Sequence, residues 1–236
     1  MGRNKIPIII FSVLLLIYIV AQLNAPRRFD WTPTLSRTDK NPFGAYIPYT
    51  QLQQLFPAAG IISEREPVYN VLHNEDGKTQ ENSAYFLIGQ SFSPGKADLE
   101  ELLKYVDDGN IVFVSALQFG DKFLDTLGLK TDMHNSFIET DTISVNFVNP
   151  MLKAPKNFGF KPTTFAGYFS RVNRNDSTTV LGIDNDSLPD FVRVGYGKGY
   201  FFIHATPVCF SNYFMLYNNN AEYTARPCLM SLQIRR

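Results

Sequence analysis

The chain has 236 residues, enough for one well-cored domain with some extra elements. Its 22 lysines and arginines balance 22 aspartates and glutamates, so the net charge is zero and nucleic acid is excluded as the main partner. An aromatic share of 14%, with 20 phenylalanines, 12 tyrosines and the lone tryptophan Trp31, excludes a disordered chain and asks for a large core.

After MGRNK comes a run without one charge, starting at Ile6 and ending at Leu23. As a helix it is about 27 Å long at 1.5 Å per residue, close to a hydrocarbon core of roughly 30 Å. A buried core helix would carry a polar stripe, and this run has none. A cleaved signal peptide shares the basic start and the apolar middle. Its best cleavage point, after Leu23-Asn24-Ala25, lacks a small residue at the first position and has Pro26 just beyond the cut. The expectation is therefore a transmembrane anchor over residues 1–24, with the cleaved signal as the alternative. Arg3 and Lys5 precede the run while Arg27 and Arg28 follow it, so flanking charge hardly orients it. A short basic N-terminus ahead of a bulky domain places that domain outside the cytoplasm at the cell membrane, with a single pass.

Residues 25–40 are polar and proline-punctuated and read as a stalk leading into a first extended segment. Asn41 then reads as a helix cap with Pro42 at the first helical position. Pro48 either kinks that helix or restarts it, and Ala45, Tyr49, Leu52 and Phe56 share one face. Residues 84–89 form a short apolar run of the kind buried on both faces of a sheet. An amphipathic helix follows, with Ser93 as cap, Pro94 at its first position and Gly109 as its stop. Leu99, Leu102, Leu103 and Val106 lie on one face, with Asp98, Glu101 and Lys104 among the polar positions. Residues 111–116 are a second buried run. Strand, helix, strand implies a crossover and a parallel sheet. The stretch GDKFLDTLGL predicts another helix, DTISVNF alternates, and NFGFKPTTFAGYFS reads as aromatic loop. STTVLGID is a strand. Val192 and Val194, then GYGKG, then Tyr200, Phe202 and His204 read as an antiparallel hairpin. Gly195, Gly197 and Gly199 would supply positive φ in its turn. A phosphate loop would run into Ser or Thr and a helix, whereas Lys198 here runs into Gly199 and a strand.

The motifs SRTDKNPFGAY, SFSPGKADLEELLKYVDDGN, VFVSALQFGDKFLDTLGL and GYGKGYFFIHATPVCFSNYFMLYNNN resemble the bacterial domain of unknown function 4350, across residues 31–223. The resemblance implies a membrane-anchored protein whose domain, residues 41–223, is related to the class I glutamine amidotransferase fold. The expected fold class is thus α/β: a mostly parallel, flavodoxin-like or amidotransferase-like sheet with a C-terminal antiparallel hairpin, behind one transmembrane helix.

That enzyme class needs a cysteine nucleophile at the turn after a central strand and a His-x-Glu pair on a later strand. Here the strand IVFVS ends in Ser115 and Ala116 where the cysteine would stand. His204 is in place, but Thr206 replaces the glutamate, and the glycine framing the nucleophile elbow is missing. Ser115 as nucleophile with His204 as base is the weak catalytic candidate that survives. Cys209, five residues after His204, reads as a small buried hydrophobe rather than its thiol partner. In DNDSLPD, Asp184, Asp186 and Asp190 lack the glycine and glutamate of a calcium loop and read as a solvated turn. His73, His134 and His204 show no metal-ligand spacing, and no metal or cofactor motif is present. Cys209 and Cys228 leave a disulfide open but no disulfide-built scaffold.

From residue 224 the chain departs from the family pattern. Pro227 should interrupt a helix, and Leu229, Leu232 and Ile234 would lie uncovered, so residues 224–236 read as an atypical, shortened tail. The functional reading is a membrane-anchored, non-catalytic domain that binds a protein or small ligand. A hydrolase or transferase using Ser115 and His204 is one alternative, and a structural subunit bracing a membrane complex is another.

Overall fold

The computed structural model describes residues 5–24, 30–57, 60–73, 82–134, 142–161, 166–173 and 177–233, with side chains described as far as Pro227 in the last stretch. The cleavage point at Ala25–Pro26, Arg3, Arg27, Arg28, Ile234 and the side chains of Cys228, Leu229 and Leu232 lie outside the described residues. Two units divide the chain, Met1–Asp30 and Trp31–Arg236. In the first, α1 (Lys5–Leu23) is a single helix of 19 residues with none of its side chains buried. It is long and apolar enough to cross a membrane, a property that signal sequences share.

In the second unit a seven-stranded sheet has the order β1-β3-β11-β10-β9-β6-β7. The strands β1 (Ala84–Ile88), β3 (Ile111–Ser115) and β11 (Gly199–His204) run parallel. The strands β10 (Pro189–Tyr196), β9 (Thr178–Asp184), β6 (Ile143–Phe147) and β7 (Phe158–Phe160) extend the sheet through four antiparallel pairings. The mostly parallel, flavodoxin-like expectation is corrected to a mixed sheet with an antiparallel flank. The reason is loop length: β9 meets β10 across residues 185–188 and β10 meets β11 across Gly197 and Lys198, too short for any parallel crossover. Two short pairings lie outside this sheet. They are β2 (Ser91–Phe92) with β4 (Gln118–Phe119), and β5 (Leu129–Met133) with β8 (Gly167–Val172). The aromatic stretch read as loop therefore contains β7 and the first four residues of β8.

Both sheet faces are buried. Ile111, Phe113 and Phe202 enter one cluster with Phe43, Phe210, Phe214 and Tyr223. Val112, Val114, Phe201 and Ile203 enter a second with Leu102, Val106, Phe123 and Leu124. The second is covered by α4 (Lys96–Asp107) and α5 (Asp121–Thr126). The first is covered by a 3-10 turn (Pro207–Phe210), α6 (Asn212–Leu216) and α7 (Ala221–Gln233).

Helix starts sit later than the caps predicted from sequence. α2 (Tyr46–Leu55) begins after Ala45, and Pro48 falls in its first turn, where no intrahelical N–H is needed. α4 begins after Gly95 rather than Ser93, because Asp98 Oδ2 accepts from the Gly95 N–H at 3.3 Å. The other carboxylate oxygen of Asp98 accepts from the Tyr69 N–H at 2.9 Å, tying in α3 (Val68–Leu72). α7 runs through Pro227 instead of breaking there. Tyr223 is fully buried and the Thr224 hydroxyl donates to the Cys209 carbonyl at 2.7 Å, so packing holds the helix despite the missing donor. The Arg226 guanidinium lies over the Phe147 and Phe158 rings and donates to the Leu152 carbonyl.

Candidate functional site: a buried serine, histidine, tyrosine and aspartate chain

Strand register brings the two weak catalytic candidates together. Ser115 closes β3, His204 closes β11, and the two residues are direct partners in the parallel ladder. Both are fully buried. Ser115 Oγ lies 3.3 Å from His204 Nδ1, and the Thr206 N–H donates to that same nitrogen at 3.2 Å. Nδ1 is therefore the acceptor nitrogen, and the proton sits on Nε2. From there Nε2 donates to the Tyr223 hydroxyl at 2.9 Å, and Tyr223 donates to Asp190 Oδ2 at 3.4 Å. Thr206, in the position of the missing glutamate, turns its hydroxyl to the Gly167 carbonyl at 3.1 Å.

Burial sets the charge of this chain of groups. It holds the His204 imidazole down to about 3 and pushes the Asp190 carboxyl up to about 8, the latter helped by the neighbouring Asp184 carboxylate. Burial likewise raises the Tyr223 hydroxyl and the Cys209 thiol, with Asp190 adding to both. The approach of His204 Nε2 to Asp190 Oδ2 at 3.9 Å is thus a contact of neutral groups at pH 7, not an ion pair. Asp190 Oδ1 is buried without a hydrogen-bond partner. A Cβ at Gly182 would come within 2.7 Å of that oxygen, so the carboxyl occupies space that only glycine leaves.

As a base His204 is poorly placed. Taking the Ser115 proton requires the Nδ1 lone pair, which the Thr206 N–H already engages, and it requires an imidazolium that burial opposes. Among the described residues, little room is left at the strand ends. The carboxyl ends of the parallel strands are where open α/β sheets usually admit ligands. Here Gln90, Leu117, Pro207 and Val208, which follow β1, β3 and β11, meet Pro33, Leu35 and Phe43 around a hollow of about 10 Å³, room for a single water. The covering segment is pinned by Asn212, whose amide donates to the Asp39 and Asn41 carbonyls at 2.9 and 2.7 Å. The Tyr213 N–H adds a bond to the Pro42 carbonyl at 2.7 Å.

The other sequence candidates are scattered. Cys209 is buried with a free thiol. His73 pairs with Glu101 at 3.0 Å and stacks on Tyr69. His134 pairs with Asp184 at 2.8 Å. The solvated-turn reading of DNDSLPD holds for Asp186, which is exposed, but Asp184 and Asp190 are buried. Asp184 Oδ1 accepts from the Asp186 and Leu188 N–H groups at 2.8 and 2.9 Å, closing the β9–β10 turn. His134, Asp184 and Asp186 present ligand atoms within 4.8 Å of one another, a grouping that sequence spacing hid because residue 134 is far from the turn. Its inner members are already satisfied by each other and by the turn. Sequence reasoning also missed Tyr223 and the buried role of Asp190, since neither stands in a motif with His204.

Among solved structures, the mmIFT52 N-terminal domain matches with a TM-score of 0.58 at 13% identity, covering 78% of this chain and 90% of that one. Exo-beta-1,4-mannosidase Op5Man5 from Opitutaceae bacterium strain TAV5 matches with a TM-score of 0.48 at 12% identity, covering 88% of this chain and 35% of that one. The first likeness speaks to the fold alone, and the second is too distant to carry an argument. No curated protein matches the sequence. The DUF4350 family model, described as a domain of unknown function, matches residues 39–229, and the chain belongs to that family.

Proposed function

We propose that this chain is a membrane-anchored, non-catalytic domain that binds a protein partner in a membrane complex, with the domain on the extracytoplasmic side. One observation supports the non-catalytic part. Ser115 and His204 are both fully buried in the core, and the histidine nitrogen facing the serine is already engaged by the Thr206 N–H. The apolar, wholly exposed α1 supports the anchor. The test is turnover by the full chain in mild detergent, with glutamine and short-chain esters as substrates. No activity above background is expected, and none that depends on either side chain.

The second reading, a hydrolase or transferase, draws on the approach of Ser115 Oγ to His204 Nδ1 at 3.3 Å and on the amidotransferase relation that the family resemblance implies. Turnover that vanishes in both Ser115→Ala and His204→Ala would establish it, because paired loss is the mark of a nucleophile and its base.

A further inference from the structure

One aromatic cluster stands at the surface of the domain. Trp31 packs edge-on against Phe43 and Tyr213, with ring centroids 5.7 and 6.0 Å apart. Tyr213 in turn stacks on Tyr217 at 5.9 Å. Trp31 is 54% exposed, Tyr217 43%, and Leu216 between the two tyrosines 73%. These residues come from opposite ends of the domain sequence, and the Asn212 bonds to the 39–41 backbone hold them side by side. Lys40, between the two pinned carbonyls, lies 4.8 Å from the Tyr46 ring, and Arg37 lies 5.4 Å from the Tyr49 ring.

We propose that Trp31, Leu216 and Tyr217 form a docking face for the headgroup layer of the bilayer that α1 enters. Three observations point to lipid. The chain from Leu23 to Trp31 can span at most roughly 30 Å when fully extended, so the patch is tethered within reach of the surface. Indole and phenol rings with polar tips are the side chains that settle at a membrane interface. Lys40 and Arg37, a few residues beyond Trp31, and Arg27 and Arg28 just before it in the sequence are cations of the kind that anionic lipid headgroups attract. The inference rests on the anchored reading of α1, and the experiment separates the two.

The full chain carrying Trp31→Phe and Leu216→Trp has one indole, remote in sequence from the anchor. It is reconstituted into phosphatidylcholine and phosphatidylglycerol vesicles brominated near the headgroup end of the acyl chains. Flotation first reports whether α1 holds the chain on the vesicle. Docking predicts that the indole loses more than half of its emission, and that the loss lessens when Tyr217→Ser is added. A chain that floats with an indole both unquenched and unshifted overturns docking while keeping the anchor. A blue-shifted but unquenched indole shows a second copy or another protein on the patch, which also overturns it. A chain that fails to float overturns anchor and docking together. An unchanged far-ultraviolet circular dichroism melt confirms that each variant is folded.

Discussion

At the scale of single residues, the most consequential groups are the buried carboxyl and imidazole near Tyr223. Asp190 keeps its proton in the folded chain up to about pH 8, whereas an unfolded aspartate loses it near 3.8. Folded stability should therefore fall as pH rises between those values. His204 works in the opposite sense. It stays neutral in the fold down to about 3 while the unfolded imidazole is protonated below 6.5, so its contribution rises with pH over that window. Between about pH 4 and 6.5 the two slopes cancel. Above 6.5 only the Asp190 slope remains, amounting to roughly 2 kcal/mol by pH 8 at about 1.4 kcal/mol per unit. Urea unfolding across this range is expected to show a mildly acidic plateau and an alkaline decline. Asp190→Asn should flatten the decline. If the variant kept the full slope, other groups would be responsible.

At the scale of elements, the β10–β11 hairpin shows how a correct sequence reading can rest on the wrong reason. Of its three glycines only Gly197 adopts positive φ, at 56°. Gly199 is required for a different cause: a Cβ there would collide with the Val106 and Asn110 carbonyl oxygens, where α4 ends against β11. Gly195 meets neither demand, since a Cβ there would come no nearer than 3.4 Å to Ser177. Gly199→Ala is expected to cost about 1–3 kcal/mol or more, since backbone atoms cannot yield as a side chain can. Gly195→Ala should change stability far less. Thermal melts of the two variants side by side check this, and equal losses would mean that the turn, not the helix contact, sets the requirement.

At the scale of the whole molecule, α7 packs onto one face of the core. It brings Tyr223 into the cluster of Phe147, Phe158 and Phe214 and supplies the hydroxyl between His204 and Asp190. Losing a buried aromatic of this size costs about 3–5 kcal/mol by itself. A typical domain has only about 5–15 kcal/mol in total. A full chain ended after Asn220 should therefore melt much lower and aggregate on gel filtration. A truncated chain with an unchanged melt would mean that the packing of Tyr223 adds little to the stability of the core.

The sequence alone determined the apolar anchor candidate, the family resemblance, the β1–α4–β3 crossover and the two-faced burial of β3. Each of these is local: a hydrophobic period, a turn residue or a run length carries it within a few dozen positions. Helix starts differ by a few residues because Asp98 caps α4 from inside its first turn, while Asn212 accepts from the Ile47 N–H at the start of α2 from far along the chain. The antiparallel flank was readable in the short turns around β10, but β5, β7 and β8 were hidden among aromatic and polar residues with weak alternation. Only tertiary structure decided the site. Ser115, Asp190, His204 and Tyr223 meet through strand register, a register shift in the β9–β10 pairing between Pro189 and Phe191, and a docked helix, and no spacing along the chain encodes that meeting. Their protonation follows from burial, which is a property of the packed core rather than of any motif.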